Sequence, residues 1–217
     1  MSTRHLSILR QVVNLPTAPF VERQVIEYIR RFVADRRQLA LSADPFGNLL
    51  VRYKPAKKRT LAGKPILFAA HMDHPGFVAV RSMGLKRVYA EFRGWVSASY
   101  FAGERIRFFS GGRWVNGRIE KVIAAKPTGK KEKRAASSAA SFRDQQPPAG
   151  VIAKVAFEVT PGSPGMWAIA DATIRRHTIS ARACDDLAGL AAVLCMLDEI
   201  CRRKIAVPCY AFFTRAE

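Results

Sequence analysis

Pro65-Ile66-Leu67-Phe68-Ala69-Ala70 runs directly into His71-Met72-Asp73. An apolar run with no polar alternation reads as a strand buried on both faces, the pattern of an α/β sheet. The open end of such a strand is where α/β sheets place their ligands. Here that end delivers an imidazole and, two residues on, a carboxylate. A neutral imidazole can bind zinc, and a nearby carboxylate can hold the ring in orientation. Alone, His-x-Asp is a common pattern and reads equally as a polar turn.

Two further stretches have the same character. Cys209-Tyr-Ala-Phe-Phe-Thr-Arg-Ala-Glu217 is a strand-like run that ends in a carboxylate. Asp185-Asp186 stands immediately before an apolar helical pattern, Leu187, Leu190, Val193, Leu194, Leu197, Ile200 and Cys201, spaced by threes and fours. Either aspartate suits an N-cap, and the helix macrodipole favours acidic residues there. Two adjacent carboxylates also repel, and a cation relieves that repulsion. His, Asp and Glu at element ends are the donor types of a hydrolytic metal site. Because Glu217 is the final residue, the site is expected to be cut through and the chain to be a fragment.

Working outward, residues 5–37 show a helical apolar pattern interrupted at Pro16 and Pro19. Asp44-Pro-Phe-Gly-Asn48 reads as a turn leading into a short strand, Leu49-Leu-Val-Arg-Tyr53. After Gly76 the rhythm changes. Short β-type runs at 77–80, 87–92, 105–109, 114–119, 153–159 and 167–170 are punctuated by Gly, Pro and Asn, as in a small antiparallel barrel or sandwich. Residues 124–150 are rich in Ala, Ser, Lys and Pro and read as a long mobile loop. The expected organisation is an α/β domain at 1–76, a β insert at 77–178, and the α/β domain resumed at 179–217.

Hydrophobic residues are 49% of the chain, enough for a core. No run is long and apolar enough for a transmembrane helix, and the N-terminus lacks the apolar stretch of a signal peptide. Cysteines 184, 195, 201 and 209 form no CxxC pair and read as free thiols in a reducing compartment. The net charge of +19 raises the possibility of an anionic partner. Its clusters, Lys54-Pro-Ala-Lys-Lys-Arg59 and Lys126-Pro-Thr-Gly-Lys-Lys-Glu-Lys-Arg134, lie in turn-rich stretches without interleaved aromatics. Nucleic acid is therefore not the expected partner, and no membrane partner is expected.

Four stretches in order complete the reading: Asp44-Pro-Phe-Gly-Asn-Leu-Leu50, Ala70-His-Met-Asp-His-Pro-Gly-Phe77, Ile179-Ser-Ala-Arg-Ala-Cys-Asp-Asp-Leu-Ala-Gly189 and Phe213-Thr-Arg-Ala-Glu217. Together they resemble the glutamyl (tetrahedral, deblocking) aminopeptidases, cytosolic exopeptidases with two zinc or cobalt ions. The resemblance covers essentially the whole chain. It implies a zinc-aminopeptidase-like α/β core with a mixed sheet, incomplete here, and an inserted small β-barrel used in homo-oligomerisation. It also implies peptide substrates. His71 would be a ligand of one metal, Asp73 the carboxylate that orients it, Asp185 the ligand bridging both metals, and Asp186 a support of the turn. Glu217 would be the general base acting on a metal-bound water. The family's remaining ligands, a second Glu, a later Asp and a late His, are not in this sequence, so the chain alone is expected to be inactive. Two positions depart from the pattern. His74 stands where an acidic residue is usual and reads as a rim residue, and Leu187 stands where a basic one is usual. A metal-dependent amidase or deacylase of related core, or a basic nucleic-acid-binding protein with a degenerate site, are the alternatives.

Overall fold

The computed structural model describes residues 2–55, 64–84, 86–125, 147–176 and 178–216. The chain forms two compact units, one of residues 1–74 and 169–217 and one of residues 75–168.

The first unit opens with helix α1, Thr3–Val12, capped by Ser2, whose hydroxyl accepts from His5 N at 3.2 Å. Helix α2, Arg23–Ala34, follows. Pro16 and Pro19 separate the two, as expected of a residue that cannot donate within a helix. Strands β1, Leu39–Ala43, and β2, Leu49–Tyr53, pair antiparallel about the Asp44–Asn48 turn. Strand β3 is Ile66–His71. The chain returns to this unit through a short hairpin, β10 (Thr173–Arg175) and β11 (Thr178–Ser180), whose Ile174 and Ile179 pack on its core. Helix α3, Leu187–Arg203, and strand β12, Cys209–Thr214, complete it. The sheet order is β1-β2-β12-β3, with β12 antiparallel to β2 and parallel to β3.

β3 corrects one expectation. Its residues are not buried on both faces: Ile66 is 48%, Leu67 59% and Phe68 37% exposed, and only Ala70 is buried. β3 is the last strand in the sheet order and pairs only with β12 among the described residues. The apolar run therefore lies along a sheet edge.

In α3 the residues read as an apolar face are all buried. So is Asp198, 2% exposed, which the apolar pattern hides. Its carboxylate accepts from Arg36 Nη2 at 2.6 Å and Nε at 3.1 Å, and pairs with Arg4 Nη2 at 2.9 Å. Arg4 lies on α1 and Arg36 just beyond α2, so a single carboxylate ties three helical segments together. All four cysteines are free, and three are buried. Burial, with the nearby Asp198 charge, pushes the Cys195 thiol from 9.0 to about 11. Burial raises Cys201 and Cys209 as well. At pH 8, iodoacetamide should therefore label half-buried Cys184 in the folded protein and spare the other three, as peptide mapping would read. The linkage has a sign. Between pH 9.0 and about 11 the unfolded chain releases the Cys195 proton while the folded chain keeps it, so stability falls as pH rises through that window.

The second unit is a closed barrel of strand order β4-β5-β8-β7-β6-β9. Its strands are β4 (Gly76–Ser82), β5 (Arg87–Arg93), β6 (Arg105–Ser110), β7 (Arg113–Ile123), β8 (Gly150–Val155) and β9 (Pro164–Trp167). Phe77, Phe92, Phe101 and Trp167 form one aromatic cluster, with ring centroids 4.8–5.8 Å apart. Closure leaves no unpaired edge in this sheet. The unit ends at 168 rather than 178, because the β10–β11 hairpin pairs with itself and packs on the other core. The expected run at 167–170 is instead a strand that ends at Trp167. Most of the loop expected at 124–150, and of the two basic clusters, lies outside the described residues.

Candidate active site

The site is built where two parallel strands end side by side. In the β3–β12 register Thr214 faces His71, and Met72 N donates to Thr214 O at 2.8 Å. The main chain after His71 is fixed from below: buried Met72 has its carbonyl held by the Thr17 hydroxyl at 2.9 Å. His71 and Asp73 thus leave the sheet in a set geometry.

Asp73 is 4% exposed, and its Oδ1 lies 3.1 Å from His71 Nδ1. With the proton on Nδ1, that nitrogen donates to the carboxylate and the Nε2 lone pair points away from it. Nε2 lies 3.5 Å from Asp185 Oδ1, and the Asp185 side chain is 88% exposed. Two donors sharing one tetrahedral zinc at about 2 Å place their ligating atoms roughly 3–4 Å apart. The His71–Asp185 separation fits that requirement. Among the described residues there is no group of three or more His, Cys, Asp or Glu side chains arranged to hold a metal ion. Glu217 lies outside the described residues.

Asp186 occupies the N-cap position of α3 but makes no side-chain capping bond. Its Oδ2 instead accepts from His71 N at 3.3 Å, linking the start of α3 to the end of β3. The Asp185–Asp186 peptide is cis. Gly189, one turn into α3, leaves room for the Asp186 carboxylate, because a methyl there would collide with Oδ1. Helix propensity alone makes Gly→Ala stabilising by about 1 kcal/mol in a helix interior. Gly189→Ala is expected to do the opposite, lowering Tm and displacing Asp186 from His71, which denaturation and His71 amide exchange would report. His74 Nδ1 lies 2.9 Å from the Asp185 carbonyl oxygen, so this residue borders the site. Leu187 is fully buried, an apolar anchor of α3.

The stretch leading to position 217 is held by a clamp that the sequence did not reveal. Arg215 N donates to Asn48 Oδ1 at 2.9 Å. Its guanidinium donates to Glu22 Oε2 at 2.9 Å, Phe20 O at 2.8 Å and Phe46 O at 3.4 Å. Glu22 is completely buried. Burial pushes its carboxyl up from the ordinary value, against the lowering effect of the Arg215 hydrogen bond. The Asp44–Asn48 turn is shaped for this purpose. Asp44 Oδ1 accepts from Phe46 N and Asn48 N, each at 2.9 Å, and Gly47, at φ 87°, passes under the Arg215 side chain. On the α3 side, buried Arg182 donates to Asp171 at 3.0 Å and to the carbonyl of Asn14, bracing the segment before Asp185.

Residues 47–217 match the family model of the M42 glutamyl aminopeptidases. The chain belongs to that family. Among solved structures, the dodecameric form of PhTET1 superposes with a TM-score of 0.68 at 18% identity, covering 100% of this chain and 61% of that one. The TET1 peptidase of Pyrococcus horikoshii gives 0.66 at 18% identity, covering 97% and 61%. An aminopeptidase of the archaeon Desulfurococcus kamchatkensis gives 0.67 at 17% identity, covering 99% and 56%. The M42 chain described here therefore shares their fold over its whole length while spanning about three fifths of theirs. No match to a curated protein is found. Within this M42 chain, Thr17, Glu22, Arg182 and Arg215 are the supporting residues that sequence reasoning missed. The one available signal was Arg215 itself, a cation one residue from the terminal carboxylate's neighbour at a strand end.

Proposed function

We propose that this chain carries part of the active site of a metal-dependent aminopeptidase, which removes N-terminal residues from peptides. The observation that supports it most is the arrangement at the end of β3. His71 is steadied through Nδ1 by a buried carboxylate, and its Nε2 lies 3.5 Å from Asp185 Oδ1. A divalent ion, zinc or cobalt, would be held by His71 and Asp185, the latter shared with a second ion as the family resemblance implies, and would supply Lewis-acid polarisation of the scissile carbonyl. Asp73 fixes the imidazole tautomer and ring plane. Asp186 holds the His71 main chain. Glu217 takes the proton of the attacking water and returns it to the leaving amine. Two donors are too few for a catalytic zinc, which needs three protein ligands and an open position. On this reading the 217 residues alone are a poor catalyst.

The relatives' assembly into a dodecamer, or into a tetrahedron or octahedral shell, supports homo-oligomerisation here, and the barrel is the unit we assign to it. No helix among the described residues is long and apolar enough to cross a membrane. The free thiols suit a reducing, cytoplasmic setting.

The test compares aminoacyl-anilides with N-acylated amino acids as substrates for the 217-residue chain and for a protein carried to the relatives' length, with zinc or cobalt added. Anilide hydrolysis by the longer protein alone is the expected result. Preference for the N-acylated substrates would assign the chain to the amidases or deacylases instead. Turnover by the short chain would refute the ligand count.

A further inference from the structure

The outer face of the barrel carries a row of cations set by strand register. Arg105 on β6 faces Arg118 on β7, Arg118 faces Lys154 on β8, and Lys154 faces Arg87 on β5. Four consecutive strands thus place four positive side chains side by side. At about 4.8 Å per strand the row spans roughly 14 Å. Their sequence neighbours Ile106, Ile119, Val155 and Val88 point into the core, so all four cations face solvent. Like charges directly opposite on a sheet are unfavourable. Glu120 pairs with Arg87, at one end, at 2.7 Å, and the charge of Lys154 also acts on it. Among the described residues, Arg105, Arg118 and Lys154 form no ion pair. Arg118 is also oriented, its Nε donating to Gly103 O at 2.7 Å.

The row forms one wall of an open groove of about 600 Å³, lined by Lys86, Arg105, Arg118 and Lys154 with no carboxylate. The groove shares Lys86, Val155 and Ala156 with a neighbouring cleft of about 530 Å³, which contains Phe157 and one carboxylate, Glu158. Phe157 is 57% exposed, with the Arg113 guanidinium 4.9 Å from its ring centroid. A line of cations beside an exposed aromatic ring is the combination that holds single-stranded nucleic acid, the cations tracking phosphates and the ring stacking on a base. The sequence places Phe157 close to Lys154, but only the pairing of β6, β7 and β8 brings Arg105 and Arg118 beside them.

We infer that this face of the barrel binds the phosphodiester backbone of single-stranded nucleic acid, with Phe157 stacking on a base. An acidic peptide could also meet the cations but gains nothing specific from an exposed ring, so nucleic acid is the partner the face fits better.

The test uses fluorescence polarisation of a labelled 20-nucleotide oligo-dT with the full chain at 50 and 200 mM KCl. Contact with three to four phosphates gives a salt slope of about −2 to −3, a roughly 20- to 50-fold loss of affinity over that range. The triple variant Arg105→Gln, Arg118→Gln, Lys154→Gln should lose most of the binding and flatten the slope. Phe157→Ala should weaken binding with the slope unchanged. A control variant, Arg10→Gln, Arg30→Gln, Arg37→Gln, removes the same charge from exposed positions of the other unit and should stay within about twofold of the parent. Equal losses in the two triple variants would reduce the effect to net charge and overturn the inference. So would the absence of binding at 50 mM, or tighter binding of polyglutamate of matched charge. Circular dichroism of each variant confirms that the barrel is folded.

Discussion

Glu217→Gln, in the protein carried to the length of its relatives, is expected to lower kcat about 10²- to 10⁴-fold, the range that a positioned general base contributes. The amide is nearly isosteric but cannot take the proton of the attacking water. Because Glu217 is assigned to proton transfer and not to holding the metal, metal content should be unchanged and KM should move little. Elemental analysis and steady-state kinetics separate these outcomes. A loss below tenfold would remove Glu217 from the base role, and loss of metal with kcat would make it a ligand. Asn48, Glu22 and two main-chain carbonyls fix the residue two before it.

The second large effect is on stability. Asp198→Ala is expected to destabilise the first unit by about 3–5 kcal/mol, the cost of removing one partner from a buried ion pair. In a chain of this size that corresponds to a Tm lower by roughly 6–20 °C. Two features support the magnitude. Asp198 is 2% exposed, and its removal leaves the Arg36 guanidinium, seated 2.6 Å away on a side chain only 13% exposed, without its carboxylate. Arg4→Ala should cost less than about 1 kcal/mol, because the Arg4 side chain is 60% exposed and its pairing is solvent-screened. Comparable losses in both variants, or a loss below 1 kcal/mol for Asp198→Ala, would contradict the assignment of Asp198 as the tie between the helices.

These residues mark what the sequence could and could not disclose. Periodic features were legible. The threes and fours of α3, the Leu49–Tyr53 strand after its turn, and the β rhythm after Gly76 each follow from local geometry. The His71, Asp73 and Asp185 positions were legible as well, because they sit at the ends of those elements. Edge and interior were not distinguishable in β3. An apolar run looks the same whether or not a strand lies on its far side. β1 escaped notice because Leu39-Ala-Leu-Ser-Ala43 has too weak an alternation to stand alone and is defined by pairing with β2. Asp198 and Glu22 were read past for the same reason. Each is an acid within a helical pattern, and only the fold brings Arg36 to one and Arg215 to the other, 162 and 193 residues apart in sequence. Asp186 shows the converse. It occupies the capping position that the pattern assigns it, while its carboxylate serves the end of β3 instead.

The central claim is that His71 and Asp185 hold a catalytic divalent ion. The most direct measurement is aminoacyl-anilide hydrolysis by the relatives-length protein after exhaustive chelation and dialysis, followed by titration with zinc or cobalt, in parallel with His71→Ala. The account predicts that chelation abolishes activity, that stoichiometric metal restores it in the parent, and that His71→Ala neither binds the ion tightly nor recovers. Undiminished hydrolysis after chelation, or full recovery by His71→Ala, would contradict it.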